Sequence, residues 1–122
     1  MLAAARDEIE RLMPAEVRTA LEEGAIVIDL RCRDERGDTG VIPGSVTVGR
    51  SVLEWRCDPS SPWADPAVAR PDARVILVCA DGYSSSLAAA SLRRLGFDRA
   101  GDLIGGMNGW LEAGLPVERV SS

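Results

Sequence analysis

The 122-residue chain contains no histidine and no lysine. The first absence removes Cys–His and Ser–His nucleophile pairs and most zinc sites. The second removes Schiff-base chemistry and a lysine-type phosphate loop, and it leaves all 14 basic residues as arginine. We attribute that bias to genomic base composition rather than to function. No apolar run is long enough to span a membrane. No basic run stands out, and a net charge of −5 argues against nucleic acid as a partner. The N-terminus, Met1-Leu2-Ala3-Ala4-Ala5-Arg6-Asp7-Glu8, becomes charged too early for a secretory signal, so a soluble, cytoplasmic protein is expected. Three cysteines leave at least one unpaired in a monomer, and in a reducing compartment all three are expected as free thiols. The length suits one domain over residues 1–122 with a single core, and the 46% apolar content is ordinary for a globular chain.

Helix-like and strand-like segments alternate without a linker or repeat. Residues 3–13 read as helical, bending toward a short strand near Arg11 and Leu12, with residues 1–10 an N-terminal helical extension. Pro14 suits a helix start, and Gly24 ends the helix that follows. The run 25–30 is a strand buried on both faces. The polar stretch 31–40 reads as loop, and 45–48 as a short strand. A short helix is expected over 51–57 with Trp55 on its inner side, and a further helical turn or two over 64–69. Residues 74–78 form a strand, 85–95 a helix stopped by Gly96, 100–104 a last strand and 106–113 a terminal helix stopped by Gly114. This order predicts a parallel sheet with helices on both faces and a site at the carboxyl ends of its strands.

Cys79 lies at such an end. It closes the apolar run Val75-Ile76-Leu77-Val78, and the loop Ala80-Asp81-Gly82-Tyr83-Ser84 leads from it into a helix. A strand, a Gly-containing turn and a helix start around one thiol make an anion cradle, with backbone N–H groups and the helix dipole favouring thiolate over thiol. Cys79 is therefore the candidate nucleophile. Cys32 and Cys57 lack such a loop, although Cys32 is a candidate resolving thiol. Asp29 ends a strand, where a carboxylate can accept N–H bonds and brace the neighbouring loops, and Asp29 with Arg31 suits mutual support. Trp110 fits a packing role and Tyr83 the rim of a pocket. Gly105-Gly106 lacks the spacing of a phosphate loop and reads as a turn.

Four pieces together resemble the rhodanese domain family, over residues 11–117. Val27-Ile28-Asp29-Leu30-Arg31 is similar to its early "IDVR" strand end, and Gly40-Val41-Ile42-Pro43-Gly44-Ser45 to its "GHIPGA" turn. Cys79-Ala80-Asp81-Gly82-Tyr83-Ser84-Ser85 resembles its active loop "CxxGxRS". Leu103-Ile104-Gly105-Gly106, with Trp110, Gly114 and Pro116, is similar to its closing "LxGGxxxWxxxGxP". The resemblance implies a three-layer α/β fold around a central, mainly parallel five-stranded sheet. It also implies a sulfurtransferase in which Cys79 carries sulfane sulfur as a persulfide. Ala80, Asp81, Gly82, Tyr83, Ser84 and Ser85 would then bind substrate, and Asp29 and Arg31 would support the site. The partners implied are a small sulfane-sulfur donor and a thiol or sulfur-carrier acceptor, with no metal and no organic cofactor.

Position 84 holds Ser where many members hold Arg, and Val41 replaces a His on a structural turn. Asp81 adds a charge that repels a dianion. At a separation of about 6 Å and an effective dielectric near 20 the repulsion is roughly 3 kcal/mol per unit charge, less in the open. Thiosulfate is thus a poor donor unless Arg31, Arg33, Arg50 or Arg56 folds over the pocket. Two other readings follow from the same residues. One is a non-catalytic binding or regulatory module of the same fold. The other is a phosphatase, which the missing loop cation opposes.

Overall fold

The computed structural model describes residues 2–119. Its elements run α1 (Leu2–Asp7), β1 (Glu10–Leu12), α2 (Pro14–Glu22), β2 (Ile26–Asp29), α3 (Arg33–Thr39), β3 (Val46–Thr47), a 3₁₀ turn (Arg50–Val52), α4 (Leu53–Cys57), β4 (Val75–Val78), α5 (Ser84–Arg94), β5 (Ala100–Leu103) and α6 (Gly106–Glu112). The five strands form one sheet in the order β1-β5-β4-β2-β3, and every pairing is parallel.

Strands β2 and β4 are apolar almost throughout because both of their faces are covered. Successive side chains alternate between two cores. Ile26, Ile28, Val75 and Leu77 join Leu53, Cys57, Ala88, Leu92 and Phe97 on the α4/α5 side. Val27, Ile76 and Val78 join Val17, Ala20, Met107 and Trp110 on the α2/α6 side. Trp110 is buried, and its indole N–H donates to the Pro116 carbonyl at 2.8 Å. No helix among the described residues is long and apolar enough to cross a membrane.

Three segments differ from the sequence reading. Residues 31–40 are largely helix α3 rather than loop. No residue of α3 is buried, so apolar periodicity carries no trace of it. Its signals are local: Cys32 stands at the N-cap, the Glu35 carboxylate accepts the Cys32 N–H at 3.1 Å, and Asp34 and Glu35 occupy the first turn. Trp55 faces solvent, 62% exposed, where an inward position was expected. Leu53 and Cys57, four residues apart, take the inner face of α4, and Trp55 midway between them is turned away from it. Residues 64–69 form turns rather than helix, built on Asp65, whose carbonyl accepts the N–H groups of Val68 and Ala69 and whose side chain accepts that of Ala67. At the N-terminus, the helical reading of 3–13 divides into α1 and the edge strand β1, and β1 already begins at Glu10. Gly101 permits that edge, since a Cβ there would collide with the Glu10 carbonyl.

Cys57 supplies a test of the α4/α5 core. Burial first, then the nearby Glu54 and Asp65 carboxylates, push its thiol up to about 11. The folded protein therefore keeps this proton at a pH where an unfolded thiol, near about 8.5, has lost it. The corresponding stability is complete below the unfolded value and drains away as pH rises toward the folded one. The urea midpoint should fall between about pH 9 and 11, and less steeply in Cys57→Ala. An unchanged slope in that variant would remove Cys57 as the cause.

Candidate active site

Cys79 follows the last residue of β4, in the middle of the sheet. Its side chain is buried, and two backbone donors converge on Sγ: the N–H of Gly82 at 3.1 Å and that of Ser85 at 3.3 Å. The thiol in turn donates to Ser85 Oγ at 3.3 Å. Gly82 has φ +92°, a backbone conformation that a side chain would strain, and the turn it makes brings its N–H back over the sulfur.

The loop is held from below by the start of α6. The Met107 N–H donates to the Cys79 carbonyl at 2.8 Å, and the Asn108 N–H to the Ala80 carbonyl at 3.0 Å. A trans peptide points its C=O and the following N–H in opposite directions. Anchoring these two carbonyls on α6 therefore turns the N–H groups of Ala80 and Asp81 away from it. Those two amides, and that of Ser84 at the start of α5, find no acceptor among the described residues. Gly105 ends a turn and Gly106 opens α6, and the place of Gly106 in the site is steric. A Cβ on Gly106 would strike the Cys79 carbonyl and come within 2.7 Å of the Gly82 nitrogen.

Above the sulfur opens a cavity of about 400 Å³. Cys79, Ala80, Asp81, Tyr83 and Ser84 line one side, and Leu30, Arg31 and Glu35 the other. Tyr83 is 56% exposed at this opening. Gly82 and Ser85 sit deeper, against the sulfur. Asp29 does not reach the cavity; it is buried under Arg31. Its Oδ1 accepts the Arg31 backbone N–H at 2.9 Å, and its Oδ2 accepts Arg31 Nη2 at 2.9 Å. Arg31 Nε also donates to Asp29 Oδ1 at 3.1 Å, Nη1 donates to Thr39 Oγ1 at 2.7 Å and the Glu35 carbonyl at 3.4 Å, and Nη2 also donates to the Gly40 carbonyl at 2.8 Å. Among the residues lining the cavity Arg31 is the one cation, and its donors are spent on the loop after β2. Arg33, Arg50 and Arg56 do not line it; Arg50 pairs with Glu54 and Arg56 with Asp65. No cation folds over the pocket from these positions.

Glu35 lines the cavity because residues 33–39 are helix, and a loop reading of that segment gives no signal for it. The Cys32 backbone N–H, then the Cys32 side chain, hold its carboxyl below the usual carboxylate value; slight burial opposes them and Arg31 adds to them. The cavity wall thus carries two carboxylates, Glu35 and Asp81, without a free cation. Cys32 is exposed at the N-cap of α3 and does not line the cavity.

A second group missed from sequence lies behind the sulfur. Asp102, fully buried in β5, accepts hydroxyl protons from Ser85 at 2.9 Å and Ser86 at 2.7 Å and pairs with Arg11 at 2.9 Å. Arg6 donates to Ser86 Oγ and to the Gly82 carbonyl, each at 3.1 Å. The available signal was a carboxylate in an otherwise small and apolar four-residue strand, Ala-Gly-Asp-Leu, where charge is costly without partners. No group of three or more metal-ligating side chains occurs among the described residues.

The sequence profile of the family described as "Rhodanese-like domain" matches residues 13–113. The thiosulfate sulfurtransferase GlpE of Pseudomonas aeruginosa is 34% identical over 104 residues, which cover 85% of this chain and 86% of that protein. The GlpE of Actinobacillus succinogenes is 47% identical over 47 residues, a match that spans 38% of this chain and 42% of that protein. Among solved structures, RPA3614 of Rhodopseudomonas palustris, described as a protein of unknown function and possible tyrosine phosphatase, superposes with TM-score 0.89 at 33% identity, over 96% of this chain and 90% of that one. With the profile covering most of its length and a relative aligned nearly end to end, the chain belongs to the rhodanese-like domain family.

Proposed function

We propose that this protein is a sulfurtransferase and that Cys79 carries the transferred sulfur as a persulfide. The observation that carries the proposal is the convergence of the Gly82 and Ser85 amides on Sγ, in a loop whose Ala80, Asp81 and Ser84 amides have no acceptor among the described residues. Fixed donors aimed at a sulfur stabilise negative charge there without reorganising. The names of the GlpE relatives support sulfur transfer as the activity.

In the first half-reaction the Cys79 thiolate attacks the sulfane sulfur of a donor, R–S–S⁻. A new Sγ–S bond forms, the S–S bond of the donor breaks, and its electron pair leaves on R–S⁻. The outer sulfur of the enzyme persulfide keeps one negative charge and accepts hydrogen bonds from the loop amides. In the second half-reaction an acceptor thiolate attacks that outer sulfur, and the pair from the Sγ–S bond returns to Cys79. Charge and atoms balance in both steps, and no electrons enter from outside, so the cycle calls for neither a redox cofactor nor a metal.

The pocket also speaks to the donor. Asp81 and Glu35 both face it, while Arg31 is tied to Asp29, Thr39 and Gly40. A dianion such as thiosulfate meets two like charges, and the one cation in the wall, Arg31, is already paired with Asp29. A low-molecular-weight persulfide or a protein-borne sulfane sulfur brings less charge to the sulfur and suits the cavity better. The acceptor is a thiol or a sulfur-carrier protein. The same electrostatics oppose a phosphatase. A phosphate dianion calls for a loop cation, and positions 84 and 85 hold serines, with Ser85 bound to Asp102.

Incubation with a persulfide donor should add one sulfur atom to the intact mass of the protein, and Cys79→Ser should abolish the gain. Absence of the adduct with thiosulfate, mercaptopyruvate, glutathione persulfide and a cysteine desulfurase alike would refute the proposal and favour a binding module. Separately, Glu35→Gln with Asp81→Asn should raise kcat/KM for thiosulfate about tenfold at low salt while changing that for an uncharged donor much less. Equal effects on both donors would show that charge does not set the preference.

A further inference from the structure

The buried cluster behind Cys79 has no part in the two half-reactions as written. Asp102 is a fully buried carboxylate in the sheet interior, and every hydrogen bond it makes is to a group near the sulfur or its loop. The Ser85 hydroxyl stands between it and Cys79. Ser85 Oγ donates its single proton to Asp102 Oδ2 at 2.9 Å, so its lone pairs face the thiol, which donates to it at 3.3 Å. In this arrangement the hydroxyl favours a protonated sulfur. Rotated about its Cβ–Oγ bond, with Oγ in place, the same hydroxyl becomes a donor to an anionic one. The amides of Gly82 and Ser85 are fixed in the backbone and cannot make this exchange.

We propose that the Ser85 hydroxyl follows the charge on Cys79, and that Asp102 is the positioning residue that draws it off the sulfur whenever the sulfur is neutral. The proposal rests on the reading of Cys79 as the sulfur carrier. In the persulfide Sγ is an uncharged, two-coordinate sulfur, and the hydroxyl stays on Asp102. As the acceptor breaks the Sγ–S bond, the electron pair collects on Sγ and the hydroxyl turns to it. No proton is transferred; the hydroxyl hydrogen remains on Ser85 throughout. Asp102 is not left bare, because Ser86 and Arg11 still donate to it at 2.7 and 2.9 Å. A donor supplied only as charge develops lowers the barrier rather than binding the ground state. Asp102 acts only through Ser85, and this separates the proposal from a purely structural role in which Asp102 ties β1 to β5 through Arg11.

The test is a double-mutant cycle on the rate at which iodoacetamide alkylates Cys79 in the full chain, read by peptide mass at a single near-neutral pH. Ser85→Ala removes the mobile donor and should slow alkylation roughly tenfold, the weight of one hydrogen bond to a charged group. Asp102→Asn weakens the competing acceptor and should speed alkylation about threefold or more. In the Ser85→Ala background the Asp102→Asn effect should vanish. Slower or unchanged alkylation in Asp102→Asn, or an effect that persists undiminished without the Ser85 hydroxyl, overturns the proposal. Should Asp102→Asn fail to fold, Ser85→Ala decides alone, and an unchanged rate there overturns it. Alkylation needs no sulfur donor, so a cycle that behaves as stated in a protein that never forms a persulfide would sink the sulfurtransferase reading and leave the Ser85–Asp102 pair standing.

Discussion

The contact between the start of α6 and the loop after β4 governs the rest of the site. Two amides of α6 hold the carbonyls of Cys79 and Ala80, and the planar peptide then sends the intervening N–H groups the other way. This is why a loop of uncharged backbone can face an anion without a cationic side chain. It is also why position 106 is glycine, since any side chain there would occupy the space of the loop itself. Residues far apart in the chain are thereby made one device, and the helix that closes the fold sets the chemistry of the strand at its centre.

Charge in the interior is arranged on the same principle. Asp29 with Arg31 and Asp102 with Arg11 are buried or half-buried pairs, and each carboxylate also accepts further hydrogen bonds. Among the described residues no buried side-chain polar atom lacks a partner. Replacing such pairs with apolar residues of similar size often costs little stability, so their value here lies in position. Asp29 and Arg31 fix the loop after β2 on one side of the cavity, and Asp102 fixes the hydroxyls and arginines behind the sulfur. Both carboxylates sit on strands of the sheet, Asp29 on β2 and Asp102 on β5.

Much of the fold was legible along the chain. The apolar runs of β2 and β4, the glycines that stop α2, α5 and α6, and the Gly-turn after Cys79 are local signals that the packing respects. What escaped reading had physical reasons. Helix α3 buries nothing, so only its N-cap and acidic first turn betray it. Trp55 was expected on the inner side of its helix, but the inner face of so short a helix belongs to Leu53 and Cys57. Glu35 enters the cavity wall because α3 is a helix, so one misread element concealed one residue of the candidate site. Asp102, Arg11 and Arg6 lie on β5, β1 and α1, and nothing in their sequence spacing ties them to a cysteine many residues away.

The chain alone settled the central strands β2 and β4 and the helices stopped by Gly24, Gly96 and Gly114, the residues able to bear negative charge or react as thiols, and the impossibility of histidine or lysine chemistry, because these depend on composition and near-neighbour pattern. Whether a charged side chain is free or spent is a property of what surrounds it in space. Arg31 was a possible anion clamp in one dimension and became a brace in three, because Asp29, Thr39 and Gly40 absorb its donors. The preference for Cys79 over Cys57 was local, carried by the loop whose Gly82 and Ser85 amides reach its sulfur; packing added the cavity above it, because Leu30, Arg31 and Glu35 are brought opposite that loop.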